Sequence, residues 1–311
     1  MSPHVTCIIL NYNEWGMTQN CIDTIASQNH KNLTVLLIDN NSQEYPDSLN
    51  FSNKSYPLFN FLYENGSFKG PQLSKNHTFV TIKSNYNGGF PYGVNIGLKY
   101  IKQFLTTSYI WLLNNDTLCE PDTLSELLKY SSNSTIVGSQ LQDLDGNSLR
   151  SYNYIHPIFG TSHNCSPDSQ HTLKYIPFTS ALIPIEIIHS IGELNSKFFL
   201  YYDDADFCIR AKSNNVALKL ASQSIVYHNE SYSSTKKENS SLCPDWLPIY
   251  SKKQFMTEHN FAPTFIYLSL FISLFKRLIS GRFLQAFDIC LLIINPKRLT
   301  KRHHFWTLNR S

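Results

Sequence analysis

The chain has 311 residues, enough for a full core and about two structural units. Lys+Arg 26 against Asp+Glu 23 leaves a formal net charge of +3, too balanced to imply a nucleic-acid partner. Aromatic residues make up 14% and charged residues only 16%, which favours a packed globular protein over a disordered one. The seven cysteines lie at 7, 21, 119, 165, 208, 243 and 290 with no Cys-x-x-Cys pair, so a reducing, cytosolic compartment with free buried thiols is expected. The run Val5–Leu10 is too short for a signal sequence and has no basic residues before it. The Asn-x-Ser/Thr triplets at Asn32 and Asn76 read as composition, since nothing else points to secretion.

Val5–Leu10 reads as a first strand, followed at once by Asn11, Tyr12 and Asn13. Thr18–Gln28 has helical spacing, with Cys21, Ile22 and Ile25 on one face. Leu33–Ile38 is a second buried strand, ending in Asp39-Asn-Asn41-Ser42. This is a β-α-β unit, so parallel pairing would bring both polar clusters to one edge of an α/β sheet. Asp39 there suits a base or ribose contact, and the same four residues equally suit a turn. Residues 43–78 are polar and irregular and predict a long loop with one weak strand. Phe79–Ile82 is a third strand. Asn87, Gly89 and Asn95 then sit in a glycine-rich helix start, where backbone N–H groups can approach a phosphate or sugar.

Ile110–Thr117 is a short apolar run that ends in Asn114, Asn115 and Asp116. In an open α/β sheet that end is a ligand-binding rim. A carboxylate flanked by amides there suits Mg²⁺ or Mn²⁺ holding a phosphate-bearing ligand, and it equally suits an Asx turn into the helix from Pro121 to Tyr130. Residues 131–175 predict short strands and loops, Phe178–Ile183 a strand, and Ile185–Gly192 a short helix. Asp203, Asp204 and Asp206 then cluster at a helix start behind an aromatic stretch. Helix capping alone favours acids there. Three in four positions exceed that need, and carboxylates near each other and near apolar walls gain basicity. Arg210 can pair with Asp206. Ile225–Tyr227 predicts the last strand and leads to His228, either a structural residue or the second half of a metal site.

The character changes near Ser240. Residues 243–248 read as a linker, and Tyr250–His259 as a mixed helix. Phe261–Phe275 is apolar and closed by Lys276 and Arg277; Ala286–Ile294 is apolar and followed by Lys297, Arg298, Lys301 and Arg302. Neither run reaches the ~20 residues of a spanning helix. Two readings stay open: a hairpin lying on an anionic membrane surface, or helices packed on the rest of the chain or on a partner subunit of a homo-oligomer.

Six pieces in this order carry a resemblance: Ile9–Asn13, Ile38–Ser42, Asn87–Gly97, Leu112–Thr117, Phe199–Asp206 and Val226–His228. Together, over about Val5 to Ser234, the chain resembles the family 2 glycosyltransferases, closest to the bacterial rhamnosyltransferase-like enzymes of O-antigen, capsule and exopolysaccharide assembly. The resemblance implies a GT-A, Rossmann-like α/β domain over residues 1–240, with a mostly parallel central sheet flanked by helices, and a helical extension over 241–311. It implies an inverting transfer of rhamnose or another hexose from a nucleotide-diphosphate sugar to a glycan or lipid-linked saccharide, at the inner face of the bacterial plasma membrane. Tyr12, Asn13 and Asp39 would line the nucleotide pocket, with Asn11, Asn41, Asn87, Gly89, Asn95 and Asn115 around the donor. Asp116 and His228 would hold Mg²⁺ or Mn²⁺, and Asn114, standing where relatives have the first Asp of Asp-x-Asp, would contact ribose. Asp204 would be the catalytic base, Asp203 the alternative, and Asp206 a support. Where relatives have Ser-Gly-Ala, this chain has Thr179-Ser180-Ala181, and Ser180 would narrow the sugar pocket. From other classes, a non-catalytic nucleotide-sugar-binding or assembly protein stays open. A nucleotidyltransferase is disfavoured, because Asn11-Tyr12-Asn13 is not its basic glycine-rich loop.

Overall fold

The computed structural model describes residues 2–71, 78–228 and 244–296. Asn76, Cys243, Lys297, Arg298, Lys301 and Arg302 lie outside the described residues. Strands β1 (Val5–Asn11) and β2 (Leu33–Asp39) flank helix α1 (Trp15–Ala26). Two hairpins follow, β3 (Ser48–Phe51) with β4 (Lys54–Pro57) and β5 (Phe61–Glu64) with β6 (Ser67–Lys69). The expected long loop therefore holds four short strands. They are three or four residues long, with mixed exposed and buried positions, too short for a clear sequence period.

Next come β7 (Phe79–Ser84), α2 (Phe90–Phe104), β8 (Tyr109–Asn114), β9 (Thr117–Cys119), α3 (Thr123–Lys129) and β10 (Thr135–Gln142). A small sheet is built from β11 (Asn153–Ile155), β12 (Ser162–Asn164) and β13 (Lys174–Tyr175). The remainder of this part is β14 (Ser180–Pro184), α4 (Ile185–Ile191), α5 (Asp203–Ser213) and β15 (Ala217–His228). The C-terminal helices are α6 (Leu247–Glu258), α7 (Pro263–Ile279) and α8 (Phe283–Ile294).

The central sheet has ten strands in the order β6-β5-β7-β2-β1-β8-β14-β10-β15-β9. It is parallel through the block β5-β7-β2-β1-β8 and again between β10 and β15. It turns antiparallel where β14 enters between β8 and β10, and at both edges. The architecture is α/β, and most of the strand pairings are parallel, as expected, with antiparallel pairing confined to β14 and the two edges. Alternation along the strands feeds two cores. Ile8, Leu36, Ile38, Ile110 and Leu112 face α2, α5 and α6, while Cys7, Ile9, Val35, Leu37 and Trp111 face α1 and α3. Cys7, Cys21 and Cys119 are free thiols within this second layer.

The register sets the site. Asn11 pairs with Asp39, and Leu10 with Asn114, so the C-terminal ends of β1, β2 and β8 lie side by side. His228 pairs with Thr117, next to Asp116. The stretch expected as a linker is packed instead: Trp246 and Leu247 are buried in a third cluster with Leu270, Ile289 and Leu292. Pro248 falls in the first turn of α6, where proline suits a helix start. Phe255 and Met256 of α6 belong to the main core, so α6 is built into the body. Among the described residues, no helix is long and apolar enough to cross a membrane.

Candidate active site

At the joined ends of β1 and β2, a buried network shapes the first loop. Asn11 Nδ2 donates to Asp39 Oδ1 at 3.0 Å and to Ser42 Oγ at 3.1 Å. Asn11 Oδ1 accepts from Thr18 Oγ1 at 2.9 Å. Ser42 donates its backbone N–H to Asp39 Oδ2 at 3.0 Å and accepts at Oγ from the Asn13 N–H at 2.8 Å. Asn11 and Asp39 are each 1% exposed and are spent on this loop rather than presented to a ligand. Burial pushes the Asp39 carboxyl up, against the hydrogen bonds from Ser42 and Asn11 and the nearby Lys83 ammonium. Tyr12 and Asn13 keep part of their surface, and Asn41 is exposed. Asn13 and Asn41 take left-handed backbone (φ 58 and 67), which asparagine tolerates better than most residues.

The glycine-rich helix start has a different duty from the one expected. Gly89 has φ 85, and a Cβ there would meet Phe199 O at 2.1 Å. The Phe90 N–H donates to that same carbonyl at 2.8 Å, and the Gly89 N–H to Asn87 Oδ1 at 3.0 Å. These amides bind the chain itself, so the glycine serves the close approach of residue 199 rather than a phosphate. Asn95 is likewise a brace, donating to Leu194 O at 2.9 Å and accepting from the Leu194 N–H at 3.0 Å.

At the end of β8, Asn114, Asn115 and Asp116 are half-buried. Asn115 Nδ2 donates to Thr18 Oγ1 at 2.9 Å. Asp116 Oδ2 lies 3.3 Å from His228 Nε2. Asp116 Oδ1 is buried without a hydrogen-bond partner among the described residues, a costly state for a carboxylate oxygen. An oxygen and an imidazole nitrogen so arranged fit a divalent cation that takes its remaining ligands from phosphate. Among the described residues, no cluster of three or more His, Cys, Asp and Glu forms a fuller set.

The acidic cluster opens α5. Tyr201 and Tyr202 both take left-handed backbone (φ 69 and 66), an unusual pair for bulky residues and a form of strain that gathers at functional sites. Tyr202 Oη donates to Gly160 O at 2.9 Å, which helps hold the turn. Asp203 is 5% exposed, whereas Asp204 keeps part of its surface. Asp204 Oδ1 accepts from the Ala205 N–H at 2.7 Å, and the Phe178 N–H donates to the same carboxyl. Burial still pushes the Asp204 carboxyl up to about 6. Burial and the neighbouring Asp204 charge hold Asp203 well above the carboxylate range, so Asp203 keeps its proton in preference to Asp204. Burial works against the Asp206 charge too, but the bond to His259 and the Arg210 guanidinium bring it below the ordinary value.

The Asn114 N–H donates to Thr179 O at 3.0 Å, and Phe178 reaches Asp204. Residues 178–179 therefore link the end of β8 to the start of α5. Ser180 turns away from this edge: it is 1% exposed, accepts from Trp111 Nε1 at 3.1 Å and lies 2.7 Å from Ser139 Oγ. It is a core residue and does not narrow a sugar pocket.

The family model for glycosyl transferase family 2 matches residues 6–182, more than half of the chain. The chain belongs to this family. The glycosyltransferase is 23% identical over 221 residues to the low-salt glycan biosynthesis hexosyltransferase Agl10 of Haloferax volcanii, covering 67% of this chain and 70% of that protein. Among solved structures, GalNAc-T7 with UDP, GalNAc and Mn²⁺ aligns at TM-score 0.53 and 10% identity, over 73% of this chain and 43% of that one. A mannosyltransferase of Pyrobaculum calidifontis, in complex with GDP-Man and Mn²⁺, aligns at TM-score 0.48 and 12% identity, over 97% of this chain and 84% of its own.

In this glycosyltransferase Ser42 is the hub of the first loop, and Lys83, which carried no signal in the sequence, sits with its Nζ 4.2 Å from the Tyr45 ring centroid and acts by its charge on Asp39. His259 carried no such signal either, and its ring reaches Asp206 from the end of α6.

Proposed function

We propose that this glycosyltransferase is an inverting hexosyltransferase. It moves rhamnose or another hexose from a nucleotide-diphosphate sugar to a hydroxyl of a glycan or lipid-linked saccharide. Its place is surface polysaccharide synthesis, at the inner face of the bacterial plasma membrane. The observation that carries the reading is Asp204: a partly accessible carboxylate at a strained helix start, raised to about 6, and linked through residues 178–179 to the end of β8. A carboxylate with that affinity is ionised near neutral pH and still strong enough to take a proton. The hexosyltransferase relative supports a hexose donor and a glycan acceptor.

Asp204 removes the proton of the acceptor hydroxyl. The freed oxygen attacks the anomeric carbon from the side opposite the departing nucleoside diphosphate, and the centre inverts. Asp203, neutral and buried beside it, does not compete for the proton. Tyr12, Asn13 and Asn41, near the network of Asn11, Asp39 and Ser42, line the donor side with Asn114 and Asn115 from the end of β8. Asp116 and His228 would hold Mg²⁺ or Mn²⁺, which when bound neutralises charge on the leaving phosphate. Residues 1–240 form the catalytic domain, and residues 241–311 form the extension that begins with the body-packed α6.

The deciding experiment is transfer by the full chain with Asp204→Asn. Turnover should drop about 10²–10⁴-fold while nucleotide-sugar binding persists. Product NMR should show the opposite anomeric configuration to the donor. Unchanged turnover in the variant, or a retained configuration, overturns the reading.

A further inference from the structure

A cavity of about 630 Å³ opens between the 156–163 loop and helices α6 and α7. Lys252, Lys276 and Arg277 line it with His156 and His163, and none of the lining residues is acidic. Arg277 is already matched, since its Nε donates to Asp245 Oδ2 at 2.6 Å. Lys252 is not. It is only 8% exposed, and among the described residues its Nζ has one long hydrogen bond, to Ser273 Oγ at 3.4 Å. No carboxylate pairs with it among the described residues. A buried ammonium without a counter-charge is unfavourable unless an anion supplies one. Burial, with Arg277 and Lys276 nearby, lowers its proton affinity to about 8, which an incoming anion would reverse.

A second cavity of about 460 Å³ continues along α7. It shares Ile272 and Lys276 with the first and is otherwise lined by Phe271, Leu274, Phe275 and Leu278. Beyond it the hairpin of α7 and α8 exposes Ile279, Phe283 and Leu284, each at least 69% accessible. A basic pocket thus passes directly into an apolar groove on an apolar helical face. An inorganic anion would use only the first half of that surface, and an apolar protein partner only the second. An anionic lipid uses both.

We propose that the Lys252 cavity binds the phosphate of an anionic membrane lipid, whose chain lies in the Phe271–Phe275 groove with the α7–α8 face against the bilayer. The 156–163 loop that walls the cavity also holds Tyr202 through Gly160 O. Lipid engagement would thus be one contact away from the turn that presents Asp204. The proposal does not depend on sugar transfer and is tested by binding alone.

The test uses the full chain with vesicles of phosphatidylcholine, with or without phosphatidylglycerol. The wild type should sediment with the phosphatidylglycerol vesicles, and Lys252→Met should weaken this about fivefold. Lys129→Met, on the exposed surface of α3, should leave it unchanged. Equal binding by Lys252→Met and the wild type overturns the site. Reductive methylation of the wild type, mapped by peptide mass, removes dependence on the variant's folding. Phosphatidylglycerol vesicles should protect Lys252, and phosphatidylcholine vesicles should not. No protection overturns the site, and equal protection by inorganic phosphate alone overturns the lipid in favour of a free anion. A stable dimer split by Phe275→Asp, with no vesicle binding, replaces the lipid by a second copy of this chain.

Discussion

His259 and Asp206, 53 residues apart in sequence, meet with Nε2 and Oδ1 3.0 Å apart. The carboxylate is 2% exposed and also receives Arg210 Nε at 2.9 Å. The helix that carries Asp204 is thereby tied to the end of α6. Asp206→Ala should cost about 2–3 kcal/mol, because two donors lose their charged acceptor. Arg210 keeps Ile191 O and Glu193 O and is 29% exposed, which limits the loss. The folded carboxyl lies below its ordinary value, so this stability is complete above that value and disappears as pH falls through the folded one. Urea unfolding of wild type and Asp206→Ala at neutral and acidic pH checks both the size and the sign.

Transfer should depend on pH through Asp204. The ionised form is the base, and its folded value is about 6. The rate should be level above that point and fall about tenfold per pH unit below it. Stability runs the other way. A carboxyl raised by folding favours the protonated native state, so its contribution shrinks as pH climbs from the ordinary carboxylate value to about 6. Asp204→Asn should therefore be no less stable than wild type at neutral pH. A pH–rate profile and melting curves give the two readings.

Removing either half of the Asp116–His228 pair should impair both metal binding and transfer. Loss of several kcal/mol of charge stabilisation corresponds to about 10³-fold in rate. EDTA should stop the wild type, and Mn²⁺ should restore it. Independently of turnover, Mn²⁺ with a nucleoside diphosphate should raise the melting point of wild type and not of Asp116→Ala.

Ser180→Gly should change stability and leave donor choice alone. The hydroxyl serves Trp111 Nε1 and Ser139 Oγ, and its loss strands a buried indole N–H. The expected cost is about 1–3 kcal/mol. A donor screen with an unchanged order of preference, together with a lowered urea midpoint, fits a core hydroxyl.

The central strands β1, β2, β7 and β8 were legible because they are rich in buried apolar residues on both faces. Leu33–Ile38 cannot be anything but covered on both sides. The polar ends of those strands were legible for the same reason, since Asn114 to Asp116 interrupt an apolar run abruptly. Much of β15 was not. Its first half pairs with β10 and alternates exposed and half-exposed residues, while the edge strand β9 covers only Val226–His228, so only the apolar end from Ile225 carried a strand signal. Prolines 244 and 248 suggested a linker, and they hid the burial of Trp246. The bracing duties of Asn11, Asn95 and Ser180 were beyond the sequence. An amide or hydroxyl at a strand end or helix start looks the same whether its partner is a ligand or a carbonyl 99 residues away.

Cys7, Cys21 and Cys119 share one sealed layer between β1, α1 and β9, and burial raises all three thiols, Cys21 to about 12. An alkylating reagent therefore meets no usable thiolate while that layer is shut. The pace of their modification becomes a clock for how often the wall behind the loop after β1 breathes, read from the wild-type chain with no label introduced.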